Sequence, residues 1–321
     1  MTKWWVAFLA VAAIACGSDG SGNGGAADAT ETTANDAAGT DLPVGVETYQ
    51  DPDTGCTMST PYSCKTPWPA AGQCGVAAEG CKLNPGVDLT GRLYRIDHLY
   101  VDSPKGPTDD DPNGAIAATL SCLWNTQIAK DELVILFHIT KHDPATGELE
   151  FEAGSGTRNF DGANKCKYQF LANPAPQTVK LKIDGCTFKW VNKTDGTPDY
   201  GVLRIYPDLI TSPIPVVNML PHGALTPDGG LISNGCLGGG ICVDAAKKID
   251  FKLAKEMTGC TNFYEFMSQF PDYVQVNAHD LPCDDGTRDG FEFKGRFDAT
   301  WIATDFLDQR KSITRDFSCN N

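Results

Sequence analysis

The chain has 321 residues, with 41 acidic side chains against 26 Lys and Arg, a formal charge of −15. So acidic a surface is repelled by phosphate backbones and by anionic lipid headgroups, which makes nucleic acid a poor partner class, and acidity is equally the ordinary means of staying soluble. The length allows one large domain or two small ones.

Taken in order, the chain opens on MTKWWVAFLAVAAIAC. Lys3 and the amino terminus form a small positive region, Trp4 to Ile14 is an uncharged apolar run, and Ala13-Ile14-Ala15-Cys16 closes it. The run falls short of the ~20 apolar residues of a spanning helix and reads as a targeting segment. It resembles a bacterial lipoprotein signal, with small residues at −3 and −1 before a cysteine. The resemblance implies cleavage before Cys16, a diacylglycerol on its thiol and an acylated amine. Such a set of chains exceeds the two signals needed for stable anchoring. Gly17 and Ser18 follow the cysteine where the family places Asp for inner-membrane retention, which implies the outer membrane. Ala13-x-Ala15 also fits an ordinary secretory cleavage site. Cysteine parity separates the two: the chain has 13 Cys, and lipid on Cys16 leaves an even set able to pair fully in an oxidising compartment.

Residues 1–15 are thus the leader and 16–51 a lipid-anchored tether. Residues 17–41 carry no apolar side chain larger than Ala and cannot offset their ordering entropy. Residues 52–85 hold Cys56, Cys64, Cys74 and Cys81 among Pro61, Pro67, Pro69 and Pro85. That composition predicts a small, loop-rich segment stapled by two bridges, with the pairing open. No Cys-x-x-Cys occurs, so thioredoxin-type and zinc-ribbon chemistry are excluded. The remaining cysteines, Cys122, Cys166, Cys186, Cys236, Cys242, Cys260, Cys283 and Cys319, complete six expected disulfides.

Residues 86–321 read as mainly β. Leu149, Phe151 and Ala153 alternate with Glu148, Glu150 and Glu152. Val179, Leu181 and Ile183 alternate with Lys180, Lys182 and Asp184. The parity then changes to Phe188 and Trp190, so Gly185-Cys186 marks a bulge or corner. Phe291, Phe293, Phe297, Ala299 and Trp301 alternate with charged residues. Leu133 to Ile139 is the best central strand. Three short helices are expected. Asn113 caps one carrying Ile116, Leu120, Leu123 and Gln127. Asp244 caps another carrying Ala246, Ile249, Leu253 and Met257. Asn262 with Glu265 forms a capping box before Phe263 and Phe266. Ser212-Pro213-Ile214-Pro215 reads as loop, with a possible boundary near residue 212. Half-buried antiparallel strands with a few short helices predict a β-sandwich-like body.

Candidate chemistry is sparse. His138 and His142 are four apart, but in a strand the rings lie about 13 Å apart, too far to share a metal. Asp284, Asp285 and Asp289, with Gly286 and Gly290, resemble part of a calcium loop that Asp280 could join. Counted from Asp285 as an EF-hand, Thr287 and Arg296 fall where carboxylates belong, which leaves a looser calcium site or an ordinary acidic turn. Asp109 to Gly114 is a second oxygen-rich loop, and Asp228-Gly229-Gly230 a weaker one. Gly235-Cys236-Leu237-Gly238-Gly239-Gly240-Ile241-Cys242 fits neither the Walker nor the Rossmann pattern and reads as a tight, disulfide-linked turn before a helix. Ser155, between Gly154 and Gly156, reads as a loop serine without a local base. Trp190 and Trp301 fall on apolar strand faces and read as core.

With no catalytic constellation, the chain reads as a lipid-anchored envelope protein that binds or scaffolds. A glycan hydrolase acting through paired carboxylates, or a carrier of lipid or another apolar ligand, are the alternatives. Two carboxylates across a groove mark the hydrolase, and an apolar cavity marks the carrier.

Overall fold

The computed structural model describes residues 48–52, 55–59, 75–103, 115–160, 162–207, 212–251, 261–268, 283, 290–302 and 306–313. The strands are β1 (Thr48–Gln50), β2 (Thr57–Ser59), β3 (Leu93–Ser103), β4 (Val134–Asp143), β5 (Glu148–Arg158), β6 (Tyr168–Phe170), β7 (Gln177–Asp184), β8 (Thr187–Trp190), β9 (Gly201–Ile205), β10 (Ile214–Met219), β11 (His222–Leu225), β12 (Leu231–Cys242), β13 (Asp250–Phe251), β14 (Thr261–Asn262) and β15 (Gly290–Trp301). The helices are α1 (Ala115–Ala129), α2 (Val243–Lys247) and α3 (Phe263–Ser268).

The mainly β composition holds, but the body is a closed barrel and not a sandwich. Its eight antiparallel strands run β3, β4, β5, β7, β8, β11, β12, β15 and back to β3. Closure depends on β12, a long strand that pairs with β11 through His222↔Cys236 and with β15 from Leu231↔Thr300 to Cys242↔Gly290. A sandwich would leave two open sheets with edges. Closing the ring pairs those edges and sends every inward side chain to one lumen. Strands on both sides of residue 212 belong to this ring, since β8 pairs with β11.

The alternations read from the sequence become the inner wall. Leu149, Phe151 and Ala153 of β5, Val179, Leu181 and Ile183 of β7, Phe188 of β8, and Phe291, Phe293, Phe297 and Ala299 of β15 are all buried in one core. Gly185 and Cys186 form the two-residue turn of the β7–β8 hairpin, with Asp184 opposite Thr187. Val134 to Ile139 is a barrel strand, as its apolar run predicts.

Two segments read as turn or loop are strands. Gly235 to Cys242 lies within β12. Its glycines answer crowding: a Cβ at Gly235 would meet the Phe297 ring across the pair at 2.5 Å, and one at Gly239 would meet the Val217 carbonyl at 2.6 Å. Ile214 and Pro215 lie in β10, where Pro215 is opposite Arg204 of β9. β12 pairs with β10 only at Val217↔Gly240, so proline there costs no ladder bond on that side. The β9–β10 hairpin packs across β5 and β7, adding Leu203, Ile205, Ile214, Val216 and Met219 to the core.

Helix α1 completes the wall. β4 pairs with β3 only at Leu93, Tyr94 and Arg95. Beyond them, Val101 N–H donates to Ser121 Oγ at 2.7 Å, and Asn125 bonds both backbone groups of Leu99. Trp124 packs against Phe293 with ring centroids 6.0 Å apart. The capping box at α3 is present: Glu265 N–H donates to Asn262 Oδ1, and Asn262 N–H to Glu265 Oε2. The helix expected from Asp244 is shorter than its pattern. Cys242 occupies the N-cap, Asp244 lies in the first turn, and the chain turns into β13 after Ile249. Leu253, Met257 and Asn113 lie outside the described residues.

Candidate functional site

The lumen is the first place to seek a ligand, and it is full. Tyr94, Phe137, Ile139, Leu149, Phe151, Leu181, Phe188, Leu225, Ile232 and Phe297 line a residual cavity of about 20 Å³, room for about one water. Phe137 touches both Phe151 and Phe297, at 5.4 and 5.2 Å between centroids. Among the described residues that line the cavity, the one polar side chain is satisfied. Tyr94 Oη donates to the Gly229 carbonyl at 2.6 Å, and burial pushes its pKa up to about 12.

A second polar centre is buried outside the lumen. Asp131, in the turn after α1 with φ of 56°, receives Arg95 Nε at 3.0 Å, Arg158 Nη1 at 2.9 Å and the Tyr168 hydroxyl at 3.0 Å. Arg95 also reaches Asp97 and the Ile128 carbonyl, and Arg158 reaches the Thr57 carbonyl. Burial alone would lower the Arg95 pKa, but the charges of Asp131, Tyr168 and Asp97 more than offset it and hold it above the usual range. Two cations meet two carboxylates in a buried arrangement that joins β3, β5, β6, α1 and β2.

On the outer face of β3 and β15, His98 is paired in register with Asp298 and stacks on Tyr100 at 5.8 Å. Thr300 Oγ1 donates to Asp97 Oδ2 at 2.5 Å, and Arg296 grips Asp102 through Nε and Nη2. Burial lowers the His98 pKa and raises that of Asp298.

An open concavity among the described residues is on β7 and β8. Lys182, Lys189, Trp190, Val191 and Asn192 line a groove of about 330 Å³. Lys182 and Lys189 are directly opposite each other in the hairpin and both are exposed. Trp190, half-buried on the lumen-side parity, also lines the groove and meets His222 edge-on at 5.4 Å. None of the five residues is a carboxylate.

The residues singled out from sequence fall as follows. Cys16 and the tether lie outside the described residues, as do Asp280, Asp284, Asp285 and Asp289 and the Asp109 to Gly114 loop. Cys64, Cys74, Cys260 and Cys319 lie outside them too. Cys283 is bonded to Cys242, and β15 begins at Gly290, so both flanks of the Asp284–Asp289 loop are held. Two of the N-terminal cysteines, Cys56 and Cys81, do not staple their own segment as expected. Cys56 pairs with Cys166 and Cys81 with Cys186, at separations of 110 and 105 residues. Cys122 and Cys236 are disulfide-bonded as well. A loop-rich piece with little core of its own is thus stapled onto the barrel.

His138 and His142 both lie on β4. His138 faces Glu152 at 4.0 Å, and His142 Nδ1 accepts the Leu89 N–H at 3.3 Å. Among the described residues the one cluster with metal-ligand chemistry is Cys242, Asp244 and Cys283, whose two sulfurs are joined to each other and so carry no thiolate. Ser155 is in strand β5, not a loop, and its hydroxyl donates to the Arg204 carbonyl and accepts the Tyr206 N–H. Asp228 closes an ordinary turn, accepting Gly230 N–H and the Thr226 hydroxyl. Trp190 packs partly on the core, but Trp301 is 37% exposed under the Arg92 guanidinium, 4.1 Å from its ring centroid.

Sequence reading passed over Asp131 and its two arginines, because nothing local links positions so far apart. The lysine pair did leave a signal: once Gly185-Cys186 is a two-residue turn, Lys182 must oppose Lys189. No family model, curated protein or solved structure matches the chain.

Proposed function

We propose that this chain is an extracytoplasmic binding protein, lipid-anchored at Cys16, that meets its ligand on the outer surface of a filled barrel. The filled lumen carries the reading. A cavity of about 20 Å³ has no room for an acyl chain or other apolar cargo, so the carrier class loses its site. The groove on β7 and β8 holds lysines and no carboxylate, which lends nothing there to glycoside hydrolysis by an acid pair. Eight described cysteines in disulfides support an oxidising compartment, and with it the lipoprotein leader. A rigid body on a tether suits presentation of a surface.

Organic extraction of purified protein, together with titration by a fluorescent fatty acid, tests the binding mode. Neither co-purified lipid nor saturable uptake is expected. Stoichiometric apolar cargo would return the barrel to the carrier class.

A further inference from the structure

We infer that the β7–β8 groove binds an acidic sugar, with Lys182 and Lys189 meeting the carboxylate or sulfate and Trp190 and Asn192 meeting the ring. The inference rests on the outward-binding reading above and assigns it a ligand class.

The lysine pair is the central observation. Like charges directly opposite in an antiparallel ladder are destabilising, and this chain has acids to spare, 41 against 26 bases. Most other charged neighbours around this ladder are of opposite sign, although Asp143 of β4 is opposite Glu148 of β5. Lys180 is opposite Glu150, Lys141 Nζ holds Glu148 Oε2 at 2.7 Å, Arg310 reaches Glu152 at 3.1 Å, and Lys193 reaches Asp199 at 3.9 Å. Lys182 and Lys189 are instead two facing cations. Glu148 is in register with Lys182 on the other side, but its carboxylate is engaged by Lys141. Asp184, the next outward residue on β7, forms no ion pair with either ammonium. Among the described residues neither lysine has a carboxylate within salt-bridge distance.

Shape agrees with charge. The two ammonium groups flank a groove of about 330 Å³ whose remaining wall is Trp190, Val191 and Asn192. An indole offers an apolar face to a pyranose ring, and a carboxamide both donates to and accepts from hydroxyls. An acidic peptide would use the lysines alone. A uronate or sulfated sugar uses all four side chains, which is why it is favoured.

The test uses the full mature chain at about 50 mM salt, where screening is modest. Polygalacturonate and dextran sulfate are compared with neutral dextran and polyglutamate. The two acidic glycans should bind and dextran should not. Lys182→Gln with Lys189→Gln should weaken binding about tenfold, in line with two exposed charge contacts, while Lys180→Gln should leave it unchanged. A tryptophan emission change on binding should vanish in Trp190→Phe. Melting of the lysine double variant should match or exceed wild type, which separates lost binding from lost folding. Equal binding of polyglutamate overturns the sugar class. Equal binding of dextran, or a double variant that binds like wild type, overturns the groove. So does failure of all four probes. None of these outcomes touches the filled-lumen reading, which the lipid titration decides separately.

Discussion

Asn125 holds Leu99 by both of its backbone groups: Oδ1 accepts the Leu99 N–H at 2.8 Å, and Nδ2 donates to the Leu99 carbonyl at 2.9 Å. A helix side chain therefore takes the place of a strand where β4 no longer reaches β3. The same Nδ2 also donates to the Ser121 carbonyl inside the helix, which fixes the rotamer. Asn125→Ala would leave two buried backbone groups unpaired, each at about 1–3 kcal/mol. A loss of about 2–5 kcal/mol is expected in chemical denaturation, with Ser121→Ala losing about half as much. A loss under about 0.5 kcal/mol, within the range of an ordinary surface change, would show that β3 does not need this partner.

Asp131 offers a sharper case, because its removal strands two buried guanidinium groups. Asp131→Ala is expected to cost about 3–5 kcal/mol, the range for breaking a buried ion pair from one side. Tyr168→Phe removes one hydroxyl contact to the same carboxylate and should cost about 1–2 kcal/mol. Replacing Arg95, Asp131 and Arg158 together with apolar residues of matched volume should recover much of the loss, since the charges then leave as a set. A triple variant no better than Asp131→Ala would show that the network supplies net stability beyond mutual compensation.

The two bridges from the N-terminal segment to the barrel constrain long loops, which is where a cross-link has most effect on the unfolded chain. Replacing Cys56 and Cys166 together, or Cys81 and Cys186 together, should cost about 2–5 kcal/mol each. Limited proteolysis should then cut first between residues 56 and 81. Cleavage elsewhere in both variants would show that the segment is held by its own packing.

Those pairings also mark where sequence reading reached its limit. Alternation placed β5, β7 and β15, because a half-buried strand writes its period into consecutive residues. The Asn262–Glu265 box was legible for the same local reason. Barrel closure was not, since the meeting of Leu231 with Thr300 and of His222 with Cys236 leaves no mark within either segment. β12 even looked unlike a strand: its glycines make room for Phe297 and for β10, so the apolar mass that signals a strand sits on its neighbours. The Lys182–Lys189 pair was half legible, requiring only the hairpin turn at Gly185. Asp131, Arg95 and Arg158 meet only after three separate elements have packed.

The final prediction concerns His98 and Asp298, whose shifts have opposite signs. Burial, aided by Arg95, lowers the His98 pKa against the opposing pull of Asp298 and Asp97. Below about pH 6.5 the unfolded chain takes up a proton that the folded chain resists. The stability His98 lends is therefore full above that pH and is lost as pH falls through its folded value. Burial, aided by Asp97, raises the Asp298 pKa, while His98, the Asn234 N–H and Arg296 oppose the rise. Its contribution is full below the unfolded value of 3.8 and is lost as pH rises through the folded one. The ionised form of Asp298 is thus the one that burial penalises. Asp298→Asn keeps an acceptor for the Asn234 N–H and removes the charge, so it should raise the melting temperature at about pH 7–8. It also removes the charge that helps His98 protonate, so its stability should fall more steeply than that of wild type between about pH 6.5 and 5. His98→Asn should flatten the wild-type curve over the same window. Parallel melting curves for the three proteins across that range would show that the pair titrates alike in the folded and unfolded chain, and would remove the physical basis for both shifts.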